Sequence, residues 1–252
     1  MVRNSGRSTR CDLSTCHRGQ LRLSCEQVRS IGRVRLFLAS TSPARLATLR
    51  GAGIEPVAIA PGVDEEAAVA EAEERAGRPL DPAELVQLLA RLKCEAVLDP
   101  EVLATAGLAP ADLDGFLFGG DSAFELDGTI YGKPHEPHIA RERWLHQRGR
   151  SGVLHSGHWL IDHRGGAVRA AVGRASSAVV HFADDIETYE IDAYIATGEP
   201  LKVAGAFTID ARGAGFIDRI EGDPHTVVGL SIPLLRRLVH ELGGRWTDLW
   251  NR

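Results

Sequence analysis

Lysine is nearly absent from this chain: of 29 basic residues among 252, only Lys93, Lys133 and Lys202 are lysines. Long apolar runs are missing too. Nothing approaches the roughly 18 consecutive apolar residues of a membrane span, and the N-terminus lacks the apolar core of a secretory signal. These absences predict a cytoplasmic protein with no membrane partner. The four cysteines form no CxxC pair and imply no disulfide framework. Cys11, Cys16 and Cys25 lie near His17 at a spacing that leaves zinc open without supporting it, and Cys94 reads as a small buried residue. Several catalytic signatures are also missing: there is no GxxxxGK[ST] loop, no GxGxxG between strand and helix, no HExxH and no GxSxG elbow.

The net charge of −5 hides an asymmetry. Residues 1–35 carry eight arginines against Asp12 and Glu26, a local balance of +6, so the remaining body is strongly acidic. An acidic body argues against nucleic acid as a partner, because such binding needs cations spread over a whole face. Residues 1–32 are Arg-, Ser- and Gly-rich without periodicity and are expected to be a disordered basic extension. The reading preferred here is an extension from an upstream start; a transit-like segment and a nucleic-acid arm are the alternatives. The remainder, 33–252, is expected to form a single domain.

Along that remainder strand and helix patterns alternate. The residues predict strands at 34–39 and 56–59, an Ala/Glu-rich stretch, and a helix at 82–98 opened by Asp81-Pro82. Residues 99–112 read as a loop. Phe116-Leu117-Phe118 leads into Gly119-Gly120-Asp121, and Glu125 to Tyr131 reads as a hairpin turning at Asp127-Gly128. Then come a helix at 136–148, strands at 153–162 and 167–182, a helix at 185–196, a Gly-rich β region at 204–220 and a helix at 233–242. The fold class is α/β with a mixed sheet.

Three places could carry chemistry. Leu36 to Ala39 runs into Ser40-Thr41-Ser42-Pro43, which reads as a strand delivering a helix N-terminus, with Ser42 as N-cap and Pro43 at the first helical position. With Ser40, Thr41 and Arg45 around it, that corner suits a phosphate; it also reads as an ordinary capped helix. The scarce lysines are point charges able to reach phosphate oxygens, or survivors of an arginine-rich composition. Asp121 follows a strand and two glycines, at the carboxyl end where open α/β sheets place ligands, and Asp64-Glu65-Glu66 could add a second carboxylate. Two such carboxylates can hold a divalent metal beside a polyphosphate, or face solvent as most loop acids do.

In order, Leu38-Ala39-Ser40-Thr41-Ser42-Pro43-Ala44-Arg45, Gly62-Val63-Asp64-Glu65, Gly120-Asp121-Ser122 with Asp127-Gly128 and Gly132-Lys133-Pro134, and Tyr194 through Thr197-Gly198-Glu199-Pro200 to Val227-Val228-Gly229-Leu230 resemble the Maf family of nucleoside triphosphate pyrophosphatases. The resemblance spans Val34 to Leu242. It implies a twisted mixed sheet with flanking helices, and two lobes around a nucleotide cleft. The implied activity is hydrolysis of a nucleoside triphosphate between its α and β phosphates, with Mg²⁺ or Mn²⁺ as cofactor. By position, Asp121 matches the catalytic aspartate, Glu65 and Asp121 the metal-binding acids, and Ser40, Arg45, Lys93 and Lys133 the groups that hold the triphosphate. A homodimer is also implied.

The chain departs from that family's pattern where Ala44 replaces an arginine and Ile209-Asp210-Ala211 replaces Ile-Gln-Gly. Asp210 cannot donate the amide N–H a glutamine would, so the expected substrate is broadened from dTTP and UTP to a pyrimidine, modified or noncanonical triphosphate. Thr226 replaces an asparagine, and Lys202 stands one residue before the usual lysine position, which is Val203. The alternative to an enzyme is a nucleotide-binding regulator of cell division without turnover.

Overall fold

A computed structural model describes residues 34–252. The expectations for the basic extension, its cysteines and its arginines lie outside the described residues. Helix starts follow local chemistry. Helix α1 (Pro43–Gly51) is capped by Ser42, whose hydroxyl accepts the Arg45 N–H, with proline at its start. The Ala/Glu-rich stretch becomes helix α2 (Glu65–Ala76), capped by Asp64 and ended by left-handed Gly77. Helix α3 (Pro82–Ala96) opens on a capping box between Asp81 and Glu84.

The sheet has seven strands: β1 (Arg35–Ala39), β2 (Val57–Ile59), β3 (Gly115–Leu126), β4 (Thr129–Tyr131), β5 (Ser151–Asp162), β6 (Ala170–Phe182) and β7 (Ile217–Glu221). Their order is β2-β1-β3-β5-β6-β7, with β4 also paired to β3. Pairing is parallel from β2 to β3 through β1 and antiparallel elsewhere, as the mixed-sheet expectation requires.

The register leaves one stretch of β3 without a partner on one edge. One edge of β3 is paired to β5 from Phe116 to Glu125. The other edge is shared: β1 pairs with it up to Gly119, and β4 takes over only at Phe124. Between them, residues 120–123 face a split in the sheet. Strand β1 leaves into the Ser40 corner at one side of that split. At the other, the chain runs out of β4 past Tyr131 in the direction of Ser122 and Asp121, so Lys133 follows toward the same opening.

Side-chain alternation along β1 and β3 divides the core between two faces. Leu36, Leu38, Phe116 and Phe118 pack with α1 and helix α8 (Ile232–Glu241). Phe37, Ala39 and Leu117 pack with Cys94 and Val97 near the end of α3. A third cluster surrounds Phe124 and Trp144 beyond the split, on helices α5 (Pro137–Gln147) and α6 (Thr188–Ala196).

Three features differ from expectation. Asp121 lies in the middle of β3 rather than at a strand's carboxyl end, because pairing to β5 carries the strand past the two glycines to Glu125. Residues 99–112 contain helix α4 (Pro100–Thr105), capped by Asp99, and a 3-10 turn at Pro110–Asp112. The Asp-Pro opening that marks α3 therefore recurs here, obscured by the glycine and proline that follow. The Gly-rich stretch at 204–220 is mostly 3-10 turns, Ala204–Ala206 and Arg212–Phe216, before β7 begins. A short helix α7 (Pro224–Val228) precedes α8.

Candidate active site

Neighbouring residues of β3 send their side chains to opposite faces, and at the split this produces two linked constellations. On the α3 face, the Lys93 Nζ lies 2.6 Å from Asp121 Oδ1 and 2.8 Å from Glu65 Oε1. Lys93 is 8% exposed, so a buried ammonium is clamped by two carboxylates from a strand and a second helix. The helix that carries it can come this close because Gly119 and Gly157 have no side chain: a Cβ there would lie 2.1 Å from Ala90 O and 2.0 Å from Val86 O. Gly157 is the cross-strand partner of Asp121.

On the opposite face Arg45 is buried and spends its guanidinium on three elements. Nε donates to Gly229 O at 2.8 Å, Nη1 to Ser40 Oγ at 3.2 Å and Nη2 to Ser122 Oγ at 2.9 Å. Ser40 Oγ also accepts the Ser42 N–H at 3.2 Å. The structure thus brings Ser40 and Arg45 together on one side of the split, and Glu65, Lys93 and Asp121 on the other. Lys133 is exposed and joins neither set; only its strand's direction brings it toward the opening.

Burial pushes the Asp121 carboxyl above the ordinary aspartate value, against the pull of Lys93 and Arg45 and with the help of Glu65. That makes it a stronger base than a solvated carboxylate. Burial also lowers Arg45, while Asp121 and Glu65 hold its proton on. Cys94 is fully buried, its thiol pushed up by burial and donated to Leu117 O, so it is a packing residue.

Sequence reasoning missed Ser156 and His158, which sit beneath Ser122 and Arg45. Their signal is present in β5: Leu154, Ser156, His158 and Leu160 share one buried face, so two polar residues occupy core positions. The Ser231 N–H donates to His158 Nε2 at 2.8 Å, which leaves Nδ1–H to donate to Ser156 O at 3.0 Å. His158 is therefore held neutral, its pKa lowered to about 4 chiefly by burial. Unfolded histidine titrates near 6.5, so between pH 6.5 and about 4 the unfolded chain binds the extra proton and stability falls as pH falls. The loss amounts to about 3 kcal/mol by pH 4. Urea unfolding at pH 7 and pH 4.5 should show it, and His158→Gln should flatten that part of the dependence.

These features define an α/β protein with a split mixed sheet, whose opening is lined by a clamped lysine and paired acids on one face and by a hydroxyl and guanidinium on the other. The chain belongs to the Maf-like protein family, whose model matches residues 35–242. It is 63% identical over 219 residues to a nucleoside triphosphate pyrophosphatase of Leifsonia xyli subsp. xyli, covering 87% of this chain and 98% of that protein. A nucleoside triphosphate pyrophosphatase of Salinispora tropica is 52% identical over 220 residues, covering 87% and 88% respectively. One from Nocardia farcinica is 47% identical over 217 residues, covering 85% and 96%.

Proposed function

We propose that this chain hydrolyses a nucleoside triphosphate to the monophosphate and pyrophosphate. The observation that carries the reading is the Lys93 ammonium held between Asp121 and Glu65 beside the stretch of β3 that has no partner on one edge. A triphosphate lying along the split would meet Ser40 on one side and Lys93 on the other, with Lys133 reaching in from the exit of β4. Asp121 accepts a proton from a water whose oxygen bonds to the α-phosphorus. The bond from that phosphorus to the α–β bridging oxygen breaks, and pyrophosphate leaves with its charge offset by ammonium groups.

The acids also suit a divalent cation. Glu65 and Asp121 each keep one carboxylate oxygen clear of hydrogen bonds among the described residues, and hard oxygen donors match Mg²⁺ or Mn²⁺. No group of three or more metal-binding side chains exists among the described residues. Glu65 and Asp121 would therefore hold the cation together with phosphate oxygens, the usual arrangement for Mg²⁺. When bound it would supply Lewis-acid stabilisation of phosphate charge.

We further infer a pyrimidine, modified or noncanonical base. Asp210 is exposed in a segment fastened by Glu199, which accepts Thr208 Oγ1 at 2.7 Å and the Gly213 N–H at 3.1 Å. A carboxylate there favours a base that presents a donor. The test is product analysis over a panel of canonical and modified triphosphates with Mg²⁺ or Mn²⁺. Pyrophosphate and monophosphate are expected; release of orthophosphate alone, or of nothing, would overturn the reading.

A further inference from the structure

We propose that Ser156 is a positioning residue for the triphosphate: through Ser122 it fixes the Arg45 guanidinium, and through Arg45 it aims the Ser40 hydroxyl at a phosphate oxygen. The inference rests on the triphosphate reading above.

Three serines lie in one line across three strands. Ser122 is the cross-strand partner of Ser156, and Ser156 that of Ser176, all on the face covered by α1 and α7. Ser156 is completely buried. Its Oγ lies 2.8 Å from Thr226 O, and a carbonyl can only accept, so Ser156 spends its single proton there. Ser122 Oγ, 2.9 Å from Ser156 Oγ, must then be the donor of that pair. With its proton spent, Ser122 offers lone pairs to Arg45 Nη2. The row thus has one hydrogen-bond sense, from guanidinium to Ser122 to Ser156 to the α7 backbone.

The far end of the row sets Ser40. Its oxygen receives N–H groups from Arg45 and Ser42, which occupy both lone pairs. The Ser40 proton is consequently turned away from both donors, free for an anion in the split. A hydroxyl as deep as that of Ser156 carries a desolvation cost that alanine would avoid, so packing alone does not call for it. Removing the Ser156 hydroxyl strands the Ser122 proton without its acceptor. Ser122 then rotates, Arg45 Nη2 loses its partner, and the guanidinium releases Ser40. Such an interaction is made with bound substrate and transition state alike, so its loss falls on KM.

The experiment compares Ser156→Ala, Ser156→Thr and Ser176→Ala with the parent chain. It measures affinity for inorganic tripolyphosphate by calorimetry, kcat and KM for pyrophosphate release, and the melting temperature. Ser176 bonds Thr226 Oγ1 and does not touch Ser122, so its removal reports the purely structural cost. Ser156→Ala should weaken tripolyphosphate binding and raise KM roughly tenfold with kcat within about twofold. Ser156→Thr should restore both, and Ser176→Ala should lower only the melting temperature. Should Ser156→Ala not fold, Ser122→Ala cuts the same row one hydroxyl nearer to Arg45 and should weaken binding equally. Unchanged binding in the folded Ala variant, or equal weakening by Ser176→Ala, would overturn the relay. A parent that binds tripolyphosphate but releases no pyrophosphate sinks the hydrolase reading and leaves the relay to be judged on binding; a parent that binds none sinks both.

Discussion

Asp121→Asn should lower kcat by at least roughly a thousandfold while leaving the chain folded. Asparagine has the same shape, and its side-chain oxygen can still accept from the Lys93 ammonium, which lies 2.6 Å from Asp121 Oδ1. The helix that carries Lys93 therefore keeps its anchor on β3. What disappears is the basic oxygen. An amide cannot take a proton from water at neutral pH, whereas a carboxylate whose proton affinity is raised by burial can. A thousandfold loss corresponds to about 4 kcal/mol of barrier, more than any loosening of one charge-assisted hydrogen bond would produce. Pyrophosphate release and a thermal melt on the same preparation decide the matter. A folded variant within tenfold of the parent would remove Asp121 from the chemistry and leave it as a structural partner of Lys93.

Local sequence signals suggest parts of this site, and only the tertiary register assembles them. The corner from Leu36 to Arg45 was legible because a serine followed by proline after an apolar strand is a local signal, and local signals fix helix starts. Asp121 was legible as an acid after an apolar run and two glycines, but its place was not: it lies in the middle of β3 and not at a strand's carboxyl end. Arg45 was not fully legible. Its partners Ser122 and Gly229 lie 77 and 184 residues away, and only the strand register decides that the guanidinium turns inward to meet them. Ser156 shows in β5 as a polar residue at a core position, but its link to Ser122 becomes visible only when β3 and β5 are laid side by side. The Gly-rich segment misled in the opposite direction. Gly205 has a left-handed φ of 71° and sits against the Phe124 ring, so a glycine pattern that resembled β structure belongs to a packed turn. Residues 99–112 hide a helix of only six residues, too short to display a period.

Gly157→Ala should destabilise the fold by about 3–5 kcal/mol, enough to empty the soluble fraction or bring the urea midpoint close to zero. The added methyl would lie 2.0 Å from Val86 O and 2.4 Å from Val86 C, and both are backbone atoms of α3 that no rotamer change can move aside. The strand cannot retreat either, since β5 is paired along its length to β3 on one side and β6 on the other. Relief requires lifting α3 from the sheet, which opens the cluster containing Cys94 and Val97 and draws Lys93 away from Asp121. Gly51→Ala is the matched control: it ends α1 with nothing within 4 Å of the new methyl and should leave stability unchanged or improve it by up to about 1 kcal/mol. Equal urea midpoints for Gly157→Ala and the parent would mean that α3 does not rest on this glycine, and the close approach that delivers the lysine to the acids would need another cause. If the variant folds weakly and retains structure at low temperature, its triphosphate affinity should fall along with its stability, because one contact plane supports both the core and the clamp.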